Sequence, residues 1–214
     1  MNYIDYLNNE KVIKAYKRID EINDFPFNHG LKHVKNVCEI MNNICNILGI
    51  TKEKEALLIA SALHDVGQIY GRENHGLKSK QYIIENFNED LKKNEYYNDI
   101  LEAIEKHSDP DMNNSLFCTL LSFADKMDFT KKRLEDNYRD KFNYCISEEI
   151  EDFEFINKNE EFGINIITKE DNDFENRYIN SNIIKKTKEN ISILAQKLNK
   201  KPIIKHNGKT MEIW

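Results

Sequence analysis

The stretch "LLIASALHDVG", residues 57–67, places a histidine and an aspartate directly behind a run of apolar residues. The apolar run predicts a buried helix, and Gly67 is a residue type at which helices commonly end. His64 and Asp65 would then lie at the edge of a core, where ionisable groups are costly unless something compensates for their charge. The fold therefore has to provide a partner for this pair.

The composition is that of a folded, helix-rich protein. The 214 residues are 40% hydrophobic and 32% charged, with only 7 glycines and 3 prolines. The formal net charge of -6 argues against a nucleic-acid partner, since such binding needs a basic surface. No apolar run approaches the roughly 20 residues that span a bilayer, and the four cysteines lack the spacing of a zinc site. We expect a cytoplasmic protein, monomeric or homodimeric, with no membrane or nucleic-acid partner.

Helical periodicity dominates the first part of the chain. The predicted helices cover about residues 2–22, 31–48, 51–65, 75–87, 96–107 and 115–127. We therefore predict a mainly α protein whose helical domain covers residues 1–140.

The pattern changes after residue 140. Apolar and polar residues alternate on both sides of "NKNEE", residues 157–161, which predicts a β-hairpin. A lysine-bearing amphipathic helix follows over about residues 174–198. The Asn207-Gly208 pair then lies between two short strand-like runs, which indicates a second hairpin with a type I′ turn. Residues 141–214 are thus predicted to form a small α+β appendage of two hairpins and a helix, packed on the helical domain.

Histidines and aspartates recur at the ends of the predicted helices. The residues in question are His33, His64, Asp65, His75, His107 and Asp125. A helical bundle builds metal sites from inward-pointing residues of several facing helices. Imidazole nitrogens and carboxylate oxygens are usual donors to divalent transition metals. A bound cation would offset the cost of burying such groups.

These motifs resemble a known family. "HGLKHVKNV", "LLIASALHDVG" and "LLSFADKMD" are similar, in this order, to segments of the HD-domain metal-dependent phosphohydrolases. The resemblance covers about residues 28–128 and implies an HD-type helical bundle. It implies that His33, His64, Asp65 and Asp125 coordinate a divalent metal ion.

Some members of that family hold two metal ions and have two further histidines between the His-Asp pair and the final aspartate. His75 and His107 occupy those intervals, which implies a dinuclear site. The sequence does not distinguish one ion from two, nor Fe, Mn, Zn, Co, Ni and Mg from one another. Two other histidines are interpreted differently: His29 as a loop or capping residue, and His206 as a surface residue of the second hairpin.

The resemblance also implies an activity. The expected reaction is hydrolysis of a phosphoester or phosphoanhydride in a small phosphorylated compound, with a nucleotide favoured, by metal-activated water. Asp65 would bridge the ions or orient the water, and His64 and Lys126 complete the predicted catalytic group.

The cations that would contact the substrate phosphate are less clear from the sequence. Many family members have a lysine after the glycine of the His-Asp segment, whereas this chain has Gln68. An amide carries no charge, so another residue has to replace that lysine. Arg72, Lys126 and Arg133 are the nearest candidates in the sequence, and Lys126, directly after Asp125, is favoured.

Two alternatives stay open. The chain could be a non-catalytic regulatory protein that binds a nucleotide or metal, as the loss of the lysine at Gln68 allows. It could also be a di-iron oxygenase of the HD type, because a few members with a similar ligand set activate oxygen. Metal content and a test for phosphate release separate these alternatives.

Overall fold

The computed structural model describes residues 1–22, 27, 29–109, 111–134, 145–169 and 173–213. The chain divides into two compact units, one of residues 1–24 with 28–125 and one of residues 25–27 with 126–214. The domain boundary predicted at residue 140 lies outside the described residues and stays a prediction.

The first unit is helical. Its helices are α1 (Tyr3–Leu7), α2 (Glu10–Ile22), α3 (Leu31–Leu48), α4 (Lys54–Leu63), α5 (His75–Leu91), α6 (Tyr97–Lys106) and α7 (Leu116–Lys126). A 3-10 turn, Val66–Tyr70, follows α4. Together with the small sheet described below, these helices confirm the mainly α fold. Among the described helices, none has the length and apolar character that crossing a membrane requires.

Helix α4 forms the centre of the first unit. Every residue from Ala56 to Leu63 is buried, and α4 packs against α1, α3 and α6. The buried hydroxyl of Tyr16, on α2, donates a hydrogen bond of 2.9 Å to the carbonyl of Ala62. The apolar run quoted above therefore has no exposed side, and its C-terminal end carries His64 into the core.

The predicted first helix is interrupted at Asn8 and Asn9. The Asn8 N–H donates to the carbonyl of Ile4 at 3.0 Å and closes α1, while the Asn9 side chain accepts from the Lys11 N–H at 2.9 Å and opens α2. Asparagine side chains compete in this way for backbone groups at helix ends. The apolar spacing continues across the break, so periodicity alone did not reveal it.

The second unit contains a four-stranded sheet. Its strands, in spatial order, are β1 (Ile150–Lys158), β2 (Glu161–Thr168), β3 (Lys201–His206) and β4 (Lys209–Thr210). The pairs β1/β2 and β3/β4 are antiparallel, which confirms both predicted hairpins. Strands β2 and β3 pair in parallel and join the hairpins into one sheet, which the sequence analysis did not predict.

Two helices make the connection that this parallel pair requires. They are α8 (Phe174–Ile179) and α9 (Asn182–Lys197), and α9 contacts both β2 and β3. The predicted single helix is interrupted before α9 because the Ser181 hydroxyl accepts from the Ile184 N–H and caps α9. In the β3–β4 turn, Asn207 and Gly208 both have positive φ, at 45° and 85°, as a type I′ turn requires.

The interpretation of His206 as a surface residue is wrong. Its side chain is buried, with Nε2 lying 2.8 Å from the Thr168 hydroxyl and Nδ1 lying 3.2 Å from the Glu175 carboxylate. Its ring also packs against Phe174, at 4.6 Å between centroids. The exposed turn begins one residue later, so the last residue of β3 contacts α8 instead of solvent.

Candidate metal centre

The six residues predicted as metal ligands come together in the first unit. His33 lies in the first turn of α3 and His75 begins α5, while His64 and His107 are the residues at which α4 and α6 end. Asp65 follows α4, and Asp125 lies in the last turn of α7. All are buried except His75, whose side chain is 21% exposed.

One oxygen of the Asp65 carboxylate faces His33 and His64. The distances from Oδ2 are 3.7 Å to His33 Nε2 and 3.5 Å to His64 Nε2. The Asp125 Oδ1 lies 3.2 Å and 3.8 Å from the same two nitrogens. Donors that bind one ion with bonds of about 2.1 Å lie about 3.0 Å apart at a right angle and about 3.4 Å apart in a tetrahedron. These four separations, 3.2–3.8 Å, are close to those between ligands of one cation, and His33, His64 and Asp125 form a group that could hold an ion.

The other oxygen of Asp65 faces a second pair of histidines. The distances from Oδ1 are 3.3 Å to His75 Nε2 and 3.4 Å to His107 Nε2. The two imidazole nitrogens lie 3.0 Å from each other. Asp65 thus contributes one carboxylate oxygen to each of two adjacent donor groups.

The backbone fixes which nitrogen of three histidines faces the cluster. The Nδ1 atoms lie close to carbonyl oxygens three residues earlier: His64 to Ser61 at 2.9 Å, His75 to Arg72 at 2.9 Å and His107 to Ile104 at 2.7 Å. A carbonyl oxygen can only accept, so each Nδ1 carries the hydrogen. In the neutral rings, Nε2 then directs a lone pair into the cluster, as a metal ligand requires.

Two features of this arrangement call for a cation. Burial lowers the pKa of His64 to about 4, so its ring is neutral at pH 7. Its buried Nε2 has no hydrogen-bond partner among the described residues, a situation that costs about 1–3 kcal/mol. The Nε2 atoms of His75 and His107 also lie only 3.0 Å apart. A cation among the Nε2 atoms of His64, His75 and His107 would give each of them a partner, and these donors suit a divalent metal ion.

The Asp65 carboxylate is in the form that binds a metal ion. Burial opposes its ionisation, but the surrounding histidines, His64 foremost, hold the pKa of Asp65 well below its usual range. Asp65 is therefore an anion at neutral pH despite its position in the core.

Two glycines allow the helices to approach each other here. A Cβ atom on Gly76 would lie 2.3 Å from the carbonyl oxygen of Glu105, so α5 contacts α6 directly beside His75. A Cβ atom on Gly67 would lie 2.1 Å from the backbone nitrogen of Ser79, and the Gly67 N–H donates to the Ser79 hydroxyl at 2.9 Å. From the sequence, Gly67 was expected only to end a helix. Both close contacts position the His-Asp pair relative to His75 and His107.

Two residues at the cluster were not among the predicted ligands. His29 lies in a loop before α3, as interpreted, but its buried Nδ1 lies 3.8 Å from Asp65 Oδ2. Its spacing of four residues from His33 is a sequence signal that could have placed it there. The Ser108 hydroxyl lies 2.9 Å from His75 Nε2 and 3.4 Å from His107 Nε2. Nothing in the sequence singles out Ser108 except its position after His107.

The candidate phosphate-binding cations have different surroundings. Arg72 is exposed, in the loop whose backbone carbonyl orients His75. Lys126 is half-buried and ends α7. In the second unit, Arg133 donates from Nη1 to the Asp128 carbonyl at 3.0 Å, and its guanidinium lies over the Phe27 ring. Binding of phosphate by any of the three stays a prediction.

Comparison with protein families gives one match. The model of the HD domain matches residues 30–130, a range that contains all six predicted ligands. No curated protein and no solved structure matches the chain. HD domains are generally metal-dependent phosphohydrolases. Residues 30–130 of this chain therefore match the HD domain, and that domain is characteristic of the metal-dependent hydrolase superfamily.

Proposed function

We propose that this protein is a metal-dependent phosphohydrolase. Its substrate would be a small phosphorylated compound, with a nucleotide as the first class to test, cleaved at a phosphoester or phosphoanhydride bond. The observation that carries the proposal is the buried Asp65 carboxylate, which has imidazole nitrogens at 3.3–3.7 Å from each of its two oxygens. HD-domain membership supports the same chemistry.

Two cations would be held by the two donor groups. His33, His64, Asp65 and Asp125 would bind the first, and Asp65, His75 and His107 the second. When bound, such ions lower the pKa of a coordinated water to near neutrality and offset the charge on phosphoryl oxygens. The metal, among Fe, Mn, Zn, Co, Ni and Mg, is left to experiment.

The residues of the chain would orient the metal-binding histidine rings and exclude bulk water from part of the site. The carbonyls of residues 61, 72 and 104 keep the three rings in the tautomer that leaves Nε2 available. Burial of His33, His64 and Asp65 keeps bulk water from that side of the cluster. His75 is the more exposed ligand, so we propose that substrate enters on its side. There the Ser108 hydroxyl would donate a hydrogen bond to a phosphoryl oxygen.

Phosphate charge needs further cations, since Gln68 supplies none. We propose Lys126, next to Asp125 in the chain, as the catalytic cation, and Arg72, on the His75 loop, as a second contact. Arg133 is a weaker candidate because its guanidinium already interacts with Asp128 and Phe27. Arginine offers a bidentate fork suited to phosphate, which favours Arg72 for an exposed part of the substrate.

The test is elemental analysis of protein purified without chelators, followed by a phosphate-release screen over nucleotides and other phosphoesters with Mn²⁺, Co²⁺ and Mg²⁺. Phosphate release that depends on the cation supports the proposal. Iron with oxygen-dependent turnover would instead identify an oxygenase. Full metal loading without any turnover would identify a regulatory binding protein.

The cysteines bear on the compartment in which the protein works. We propose a cytoplasmic protein, because none of the four cysteines forms a disulfide within the described part of the chain and such thiols persist in reducing compartments. We expect no nucleic-acid or membrane partner, and size-exclusion chromatography would distinguish a monomer from a homodimer.

A further inference from the structure

His29 adds a third imidazole to one oxygen of Asp65. Its Nδ1 lies 3.8 Å from Oδ2, compared with 3.7 Å for His33 and 3.5 Å for His64. Donor atoms of His29, His33 and Asp65 all lie within 4.8 Å of one another, and all three residues are buried. Donors on opposite sides of one ion are about 4.2 Å apart, so these spacings suit a shared cation. His29 also precedes residue 30, where the match to the family begins.

Packing holds the His29 loop in this position. A Cβ atom on Gly30, the residue between His29 and α3, would lie 2.0 Å from a carboxylate oxygen of Asp20. The Asp20 side chain of α2 therefore lies directly against the backbone of Gly30, at the start of α3. His29 is 9% exposed although it lies outside any helix. A histidine on a solvated loop would not be enclosed in this way.

The two groups of donors around the Asp65 carboxylate then differ in the number of residues that they contain. On the Oδ2 side the donors are His29, His33, His64, Asp65 and Asp125. On the Oδ1 side they are Asp65, His75 and His107. The smaller group also includes the more exposed histidine.

We infer that His29 is a fifth protein ligand of the cation held by His33, His64, Asp65 and Asp125, and that this cation is the more tightly held of the two. The inference rests on the metal centre proposed above. Five protein donors exceed the four of a tetrahedral zinc site. Three imidazoles also disfavour Mg²⁺, which takes oxygen ligands. These donors would therefore suit a transition-metal ion with more than four ligands, and the second cation, with three protein ligands, would exchange faster.

The experiment measures metal release from the full chain loaded with Co²⁺. Wild type should release one ion quickly and one slowly when it is mixed with excess chelator, as followed by visible absorption and elemental analysis. His29→Phe keeps the ring volume but removes both nitrogens. It should accelerate the slow phase by at least on the order of 10–100-fold. Removing a group that only supports a metal ligand already lowers metal affinity by that factor, and removing a ligand itself should have at least as large an effect. His75→Ala should remove the fast-released ion and leave the slow phase.

Two further variants separate ligation from packing. His29→Ala lacks the ring as well as the donor, so an acceleration equal to that of His29→Phe assigns the effect to the lost nitrogen. His206→Phe changes a buried histidine of the second unit, outside the cluster, and should release both ions at wild-type rates. Circular dichroism of each metal-free variant checks folding.

Wild-type release rates in folded His29→Phe or His29→Ala would overturn the inference while leaving the proposed metal centre intact. A wild-type chain that binds no cation would instead remove the proposed metal centre itself. The two failures are therefore distinguishable.

Discussion

A methyl group at Gly76 should separate the helices that bring His75 and His107 together. Its carbon would lie 2.3 Å from the Glu105 carbonyl oxygen and 2.8 Å from that of Ile104, whereas ordinary contact begins at 3.4 Å. Since closely packed elements cannot absorb such an overlap, α5 has to move away from α6 by about 1 Å. His75 is adjacent to Gly76, so its Nε2 should recede from that of His107 by a similar distance.

For Gly76→Ala we expect three measurable losses. Overpacking of this kind lowers the free energy of unfolding by about 1–3 kcal/mol, which urea denaturation followed by circular dichroism measures. A misplacement of about 1 Å can reduce a catalytic rate on the order of 100-fold, which the phosphate-release assay measures. Elemental analysis should show weaker retention of the cation held by His75 and His107, with the other cation retained.

The matched control is Leu77→Ala on the same turn of α5. Leu77 is 43% exposed, and surface substitutions usually change stability by less than about 0.5 kcal/mol. This variant should therefore keep wild-type stability, metal content and activity. If Gly76→Ala also retains both cations and full activity, the close contact between α5 and α6 does not set the geometry of the centre, and the reasoning is refuted.

Three other substitutions test separate parts of the structure. His64→Ala should lose the cation held by His33, His64, Asp65 and Asp125 and should abolish turnover, measured by elemental analysis and phosphate release; unchanged metal stoichiometry would contradict the proposed centre. Ser108→Ala removes the hydroxyl that lies 2.9 Å from His75 Nε2 and should lower kcat/KM by on the order of tenfold with metal content unchanged, so wild-type kinetics would exclude a role for the hydroxyl. Tyr16→Phe removes the buried hydrogen bond to Ala62 and should lower the free energy of unfolding, measured by urea denaturation, by about 1–2 kcal/mol. An unchanged free energy of unfolding would show that this hydrogen bond does not stabilise the fold.

The convergence of the predicted ligands could be anticipated from the sequence because each lies at or near the end of a helix and carries a charge or a lone pair. His64 and Asp65 directly follow a helix that is apolar on all sides, so they had to lie in the core. The order of motifs around His33 and Asp125 supplied the remaining partners through the family resemblance. The alternation around residues 157–161 likewise predicted the β1–β2 hairpin, because side-chain direction alternates along a strand.

What the sequence did not reveal depends on contacts between distant segments. The parallel pairing of β2 with β3 is not encoded in the periodicity of either strand. His206 is buried because α8 packs over it, and its place beside an exposed turn indicated the opposite. His29 and Ser108 reach the cluster through the packing of Gly30 on Asp20 and the position of His107, neither of which a local pattern expresses.

The parallel pairing of β2 with β3 also sets the order in which the second unit can form during synthesis. Strand β2 ends at Thr168 and β3 begins at Lys201, so residues 169–200 must leave the ribosome before β2 acquires its second neighbour. Until then, one edge of β2 presents unpaired backbone groups beside Phe162, Ile164 and Ile166, which are fully buried in the finished fold. Unpaired edges with apolar side chains are sites of aggregation. The edge of β2 is therefore exposed to aggregation in the interval between the synthesis of β2 and that of β3.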